Sequence, residues 1–203
     1  MRDNRHQPLH IFMDLLSAEM RSRMGNDPAR DAAHRRIFAN TALEVPQASG
    51  ETPQRQPACR YLEESFADLE RVGRNLSKLA AELREIEPHL NWHNQSERRK
   101  SPALAQNYAD SFVVGPGGFA PSSAIQIGVS VMAPHTTYPD HRHPPEELYL
   151  VLSQGEWRQN ADQWHEPGVG GVVYNPPDIV HAMRADTKPL FAIWCLPLDN
   201  GAH

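Results

Sequence analysis

Residues 138–157 order their side chains in a way that few folds accommodate. Tyr138 and Pro139-Asp140 lead into His141-Arg142-His143. Pro144-Pro145 follows, then Glu146-Glu147-Leu148-Tyr149-Leu150-Val151-Leu152 and a glycine at Gly155. In extended backbone successive side chains alternate faces, so His141 and His143 point the same way. The proline pair turns the chain. Glu147, Tyr149 and Val151 then share one face of a strand, and Leu148, Leu150 and Leu152 share the other. If the leucines pack outward into a core, Glu147 and Tyr149 look inward with the histidines. A third imidazole, His181, follows a second proline pair in Pro176-Pro177-Asp178-Ile179-Val180-His181. Three imidazoles and a carboxylate suit one borderline divalent ion, such as Zn, Fe, Mn or Co. Tyr149 would stand beside that ion, where a phenol's pKa falls below its ordinary value of about 10.

The pattern His141-x-His143-x3-Glu147 resembles the first cupin motif, with Gly155 one residue later than that motif asks. Pro176-Pro177 and His181 match part of the second motif, whose final Asn is Ala185 here. The longer run Tyr138-x2-His141-x-His143-x3-Glu147-x-Tyr149, with His181 and Trp194 further on, is similar to the cupin-type dimethylsulfoniopropionate lyases, in particular the Q-type. The resemblance implies a mainly β fold: a single cupin jelly-roll barrel over 111–203 holding the metal site, with a helical N-terminal extension over 1–110 packed on it. It also implies cleavage of dimethylsulfoniopropionate to dimethyl sulfide and acrylate. The metal would be held chiefly by His143, Glu147 and His181. His141 would complete the sphere or bind substrate, and Tyr149 would be general base or approach the metal itself. Tyr138 counts with the catalytic pair, and Tyr138 and Trp194 would offer the sulfonium an aromatic face.

The rest of the chain fits a helical part followed by strands. Leu9, Phe12, Leu15-Leu16, Met20 and Met24 recur at helical spacing over 9–24. Asp27-Pro28 reads as the cap and first residue of a second, short helix running to about 43. Residues 46–57 form a polar loop with three prolines. From 59 to 87 an apolar stripe, from Leu62 through Leu69, Leu76 and Leu83 to Ile86, predicts one long helix that Pro88 ends. That stripe packs on the barrel or makes a dimer, which leaves monomer and homodimer open. Ser96–Lys100 reads as a charged surface stretch. Ile125, Ile127, Val129 and Val131 alternate with Gln126, Gly128 and Ser130, as in a strand lining a polar cavity.

Composition narrows the partners. Twenty basic against twenty-five acidic residues give a net charge of −5, which argues against a general nucleic-acid binder and leaves small zwitterionic or carboxylate molecules open. No apolar run approaches a membrane span. Cys59 and Cys195 are too few and too far apart for a disulfide framework, so a cytoplasmic setting is expected. The ligand set alone leaves the chemistry open. An iron-dependent oxygenase acting on a small organic acid, or a non-catalytic metal- or small-ligand-binding cupin, uses the same residue types.

Overall fold

The computed structural model describes residues 6–39 and 53–198. Residues 40–52, which include the end of the expected second helix and most of the 46–57 loop, lie outside the described residues. The chain begins with α1 (His6–Arg23) and α2 (Pro28–Phe38). Asp27 caps α2 by accepting from the backbone N–H groups of Ala29 and Arg30 at 2.9 and 3.3 Å, with Pro28 at the first helical position. The stripe expected as one long helix is divided instead into a 3-10 turn at Pro57–Tyr61, α3 (Leu62–Leu69), α4 (Arg74–Ile86) and a second turn at Glu87–His89. The break falls at Gly73, whose φ of +132° is open to glycine alone, and Val72 beside it is 44% exposed. The apolar spacing runs on across the break, so the stripe alone did not show it.

A short α5 (Leu104–Asn107) leads into eight strands: β1 (Tyr108–Val114), β2 (Ile125–Met132), β3 (Thr137–His141), β4 (Glu147–Val151), β5 (Glu156–Gln159), β6 (Val172–Asn175), β7 (His181–Arg184) and β8 (Leu190–Pro197). They form a five-stranded sheet in the order β1-β2-β8-β4-β6 and a three-stranded sheet in the order β3-β7-β5. Neither a mainly β chain nor a closed jelly-roll barrel is formed. The α-helices hold more residues than the strands, and among the described residues no ladder joins the two sheets. The fold is mixed α/β, with two sheets and a helical layer packed on the larger one. Proline supplies one reason for the open sheets. Pro144-Pro145 and Pro176-Pro177 interrupt the chain where it passes between sheets, and a proline nitrogen cannot donate to a ladder.

Helix packing supplies the other. α1 packs on α4, α2 on β4 and β8, and α3 on β8. Leu9, Phe12, Leu16, Leu79 and Leu83 from the helices share one core with Leu148, Leu150, Ile193 and Cys195 of the large sheet. The helices therefore cover a face of the large sheet. That face alternates with the inner one as the sequence predicts: Leu148, Leu150 and Leu152 face the helices, while Tyr149 and Val151 face the small sheet with Tyr138, Trp157 and Met183. Both cysteines are buried and unpaired. No described helix is long and apolar enough to cross a membrane.

Candidate metal centre

Strand register brings the histidines together. β3 and β7 run antiparallel with His141 directly opposite His181, although 40 residues of sequence separate them. His143 lies in the connection that carries the chain from the small sheet to the large one, and Glu147 is the first residue of β4 in the large sheet. One ligand nitrogen from each of His141, His143 and His181 lies within 4.8 Å of the other two. Glu147 Oε2 is 3.5 Å from His143 Nε2 and 3.2 Å from His181 Nε2.

The second nitrogen of each ring decides what the first can do. His141 Nδ1 lies 3.0 Å from the Pro139 carbonyl, His143 Nδ1 2.8 Å from the Pro145 carbonyl and His181 Nδ1 3.0 Å from the Ile179 carbonyl. A carbonyl only accepts, so each Nδ1 carries the proton and each Nε2 is left with a lone pair. His181 Nε2 is buried and makes no hydrogen bond, because Glu147 Oε2 lies near it but off the hydrogen-bonding direction. Three converging lone pairs beside a carboxylate, one of them orphaned in the interior, fit a divalent cation.

Burial, with the His181 and Arg99 charges adding to it, pushes the pKa of His141 down to about 3, so its ring stays neutral. Burial also opposes charge on Glu147 and His143. For Glu147 the two imidazoles beside it outweigh burial and hold the carboxyl well below its usual range. For His143 the Glu147 carboxylate wins and raises the ring. Behind the carboxylate stands Asn175, opposite Glu147 in the β4–β6 ladder. Its Nδ2 donates to Glu147 Oε2 at 2.9 Å, and its Oδ1 accepts from Gln159 Nε2 at 2.7 Å. Gln159 belongs to the small sheet, so this chain of amides ties the two sheets together behind the metal ligands. The neighbouring Glu146 faces the other way. It meets Arg36 of α2 and accepts from the Tyr174 hydroxyl at 3.0 Å.

The ligands open into a cavity of about 350 Å³ that Tyr138, Tyr149 and Trp194 also line. Phe112, Gly128, Trp194 and Tyr149 follow one another in register across four strands of the large sheet. Trp194 lies flat on Gly128: a Cβ at that glycine would fall 2.2 Å from the indole, so no larger residue fits beneath it. The indole N–H donates to Ser130 Oγ at 3.0 Å. Tyr149 faces Glu147, and burial together with that negative charge lifts its phenol well above the ordinary value in the metal-free chain. Tyr138 is wedged between His141 and Tyr108, with ring centres 4.8 and 4.6 Å away.

All the residues singled out from the sequence (Tyr138, His141, His143, Glu147, Tyr149, His181 and Trp194) meet around this cavity or directly behind it. His141 differs from the other two in one respect: among the described residues Glu147 Oε2 pairs with His143 and His181 and not with His141. Sequence reading missed several neighbours. Arg99, expected on a charged surface stretch, reaches in and donates from Nε to the Tyr138 hydroxyl at 2.7 Å. Tyr108, Asp110 and Phe112 line one wall from alternate positions of β1, a spacing that was readable in the sequence. Asp110 accepts from Gln95 Nε2 on both oxygens, at 3.1 and 3.0 Å, and burial raises its carboxyl to about 6.

Comparison with known proteins agrees with this geometry. The dimethylsulfoniopropionate lyase family profile matches residues 29–192. The chain is 29% identical over 170 residues to the candidate dimethylsulfoniopropionate lyase DddL of Cereibacter sphaeroides, covering 81% of this chain and 70% of that one. It is 30% identical over 95 residues to the dimethylsulfoniopropionate lyase DddQ of Ruegeria pomeroyi, a match that spans 44% of this chain and 47% of that enzyme. The crystal structure of the Ruegeria pomeroyi DddQ superposes with a TM-score of 0.66 at 25% identity, over 95% of this chain and 93% of that one. A structure described with the DMSP lyases RdDddP and RnDddQII shares the fold, with a TM-score of 0.72 at 17% identity over 98% and 95% of the two chains.

Proposed function

The chain belongs to the dimethylsulfoniopropionate lyase family, and we propose that it is a metal-dependent carbon–sulfur lyase that splits dimethylsulfoniopropionate into dimethyl sulfide and acrylate by β-elimination. The observation that carries this reading is the convergence of three imidazole lone pairs and the Glu147 carboxylate at a cavity that Tyr138, Tyr149 and Trp194 also line. His143, Glu147 and His181, with His141 completing the set, are the residues to hold one divalent ion. Bound there, Zn, Fe, Mn or Co supplies Lewis acidity, which polarises a substrate carboxylate and lowers the pKa of a neighbouring phenol.

The chain's own groups do the rest. Tyr149, as phenolate, takes the proton from the carbon next to the carboxylate. The C–H electron pair becomes the α–β double bond. The bond from the β carbon to sulfur breaks, and its electrons leave with sulfur as neutral dimethyl sulfide, so acrylate remains. Supporting Tyr149 in this role is its position in the large sheet, two residues from Glu147 and opposite Trp194. In the metal-free chain its proton stays on, which makes proton abstraction depend on the loaded site. Trp194, fixed by Ser130 and Gly128, offers the sulfonium an aromatic face worth about 1–2 kcal/mol once water is excluded, whereas the Arg99 guanidinium already lies over the Tyr138 ring.

A headspace assay on protein of known metal content tests the reading. Dimethyl sulfide and acrylate should appear in equal amounts without oxygen. Tyr149→Phe should lower the rate by about 10²- to 10⁴-fold with metal content unchanged. Absence of sulfide from protein loaded in turn with zinc, manganese, cobalt and ferrous iron would sink the substrate assignment. Oxygen consumption with ferrous iron would then favour an oxygenase.

A further inference from the structure

We propose that Arg99, bracketed by Tyr138, is a receptor for the carboxylate of a small organic acid in the wall of the metal cavity; the inference rests on the lyase reading for the identity of that acid. Arg99 is carried by a built turn. Its N–H bonds to the Gln95 carbonyl at 2.8 Å, Ser101 N–H bonds to the Ser96 carbonyl at 2.9 Å, and Asn94 Oδ1 accepts from both the N–H and the hydroxyl of Ser96. From this turn the side chain lines the cavity, with its guanidinium carbon 5.3 Å from the Tyr138 ring centre. Nε is occupied by the Tyr138 hydroxyl at 2.7 Å. Tyr138 is only 3% exposed and is held on its other sides by Tyr108 and His141, so it fixes the guanidinium at one corner.

Glu147 and Asp110 line the same cavity, but among the described residues neither lies within ion-pair distance of this group. Arg23, Arg36, Arg55, Arg84, Arg158 and Arg184 each meet an acidic side chain, but among the described residues no ion pair involves Arg99. A half-buried guanidinium with Nε satisfied and no described acid in ion-pair range keeps its terminal N–H groups for a planar anion, and a carboxylate matches that fork. The same charge sorts a zwitterion by direction. The carboxylate end is drawn towards Arg99. A sulfonium is repelled from it, towards the Trp194 and Phe112 side of the cavity, where the two rings meet edge to face at 5.7 Å. Arg99 is thus a specificity residue that rejects sulfonium compounds lacking a carboxylate.

Calorimetric titration of the zinc-loaded protein with propionate and with its neutral isostere propionamide tests this. The ratio of the two affinities should fall by about tenfold or more in Arg99→Gln, and by less in Arg99→Lys, which keeps the charge and loses the fork. Propionamide affinity serves as the check on folding. Tyr138→Phe should keep most of the wild-type ratio, because only the bracket is lost. A ratio unchanged in Arg99→Gln overturns the inference, even with lyase activity intact, and confines Arg99 to holding Tyr138. A wild type that binds propionate no better than propionamide overturns it too. A tenfold shift in a protein that releases no dimethyl sulfide upholds the receptor while the lyase reading falls.

Discussion

Replacing Asn175 by alanine removes one donor from the carboxylate of Glu147 and little else. The bond runs 2.9 Å from Nδ2 to Oε2, and Asn175 is 1% exposed, so bulk water does not reach it. Gln159, which bonds the other end of the asparagine, also donates to the Tyr174 carbonyl at 2.6 Å and keeps a partner in the variant. The loss is therefore one charge-assisted hydrogen bond, about 1.5–3 kcal/mol. If that energy acts through the orientation of Glu147, it converts to about a 10- to 150-fold loss of zinc affinity. Outer-shell substitutions at metal sites cost a similar 10- to 100-fold. Competition against a chromophoric chelator at pH 7 reads the affinity directly, and urea unfolding of the metal-free protein reads any general loss of stability. An affinity within about threefold of wild type would refute the reasoning. It would mean that the His143 and His181 contacts orient the carboxylate unaided.

Two further expectations follow from the same geometry. Gly128→Ala drives a methyl group into the Trp194 indole, where the glycine now allows contact. The overpacking should cost about 1–3 kcal/mol in urea unfolding, and the displaced ring should weaken binding of a sulfonium ligand; a variant as stable as wild type would show that the indole moves freely. For pH, His141 and Asp110 pull in opposite directions. The folded-state pKa of His141, about 3, lies below its ordinary value of 6.5, so the unfolded chain binds the proton first and stability falls as pH drops through that window. The folded-state pKa of Asp110, about 6, lies above its ordinary 3.8, so the folded chain binds first and stability rises as pH drops from about 6. Between pH 6 and 4.5 metal-free Asp110→Asn should lose stability on acidification by up to about 1.4 kcal/mol per pH unit relative to wild type, and His141→Gln should gain by a similar amount. Parallel urea midpoints for the two variants across that range would contradict both assignments.

What the sequence made legible was local. The His141-x-His143-x3-Glu147 spacing, the split of Leu148 and Leu150 from Tyr149, and the Asp27-Pro28 cap each depend on residues within a turn or a strand of one another. The missing pieces are contacts between distant segments. Opposition of His141 and His181 is a ladder register, and the approach of Arg99 to Tyr138 starts from a turn with no periodicity. The break at Gly73 was hidden for a different reason: the leucine spacing on both sides suits one helix as well as two, and only the backbone angle at the glycine decides.

Proline shapes both the histidine loops and the open sheets. Pro144-Pro145 and Pro176-Pro177 flank the histidine loops, and the second pair carries part of the likeness to the second cupin motif. The same residues end β3 and β6 pairing where a barrel would have continued from one sheet to the next. The two loops are joined instead by one backbone bond, from Asp178 N–H to the His143 carbonyl at 3.0 Å, and Asp178 adopts a φ of +58° to make it. Side chains do the remaining closure, with Gln159 reaching across to Tyr174 and Asn175. A metal ion bound by ligands from both sheets would complete that closure: His141 and His181 belong to the small sheet, Glu147 to the large one, and His143 to the connection between them. The ion would then act as a cross-link where a barrel has hydrogen bonds, and its removal should loosen the sheets against each other more than it loosens either sheet alone.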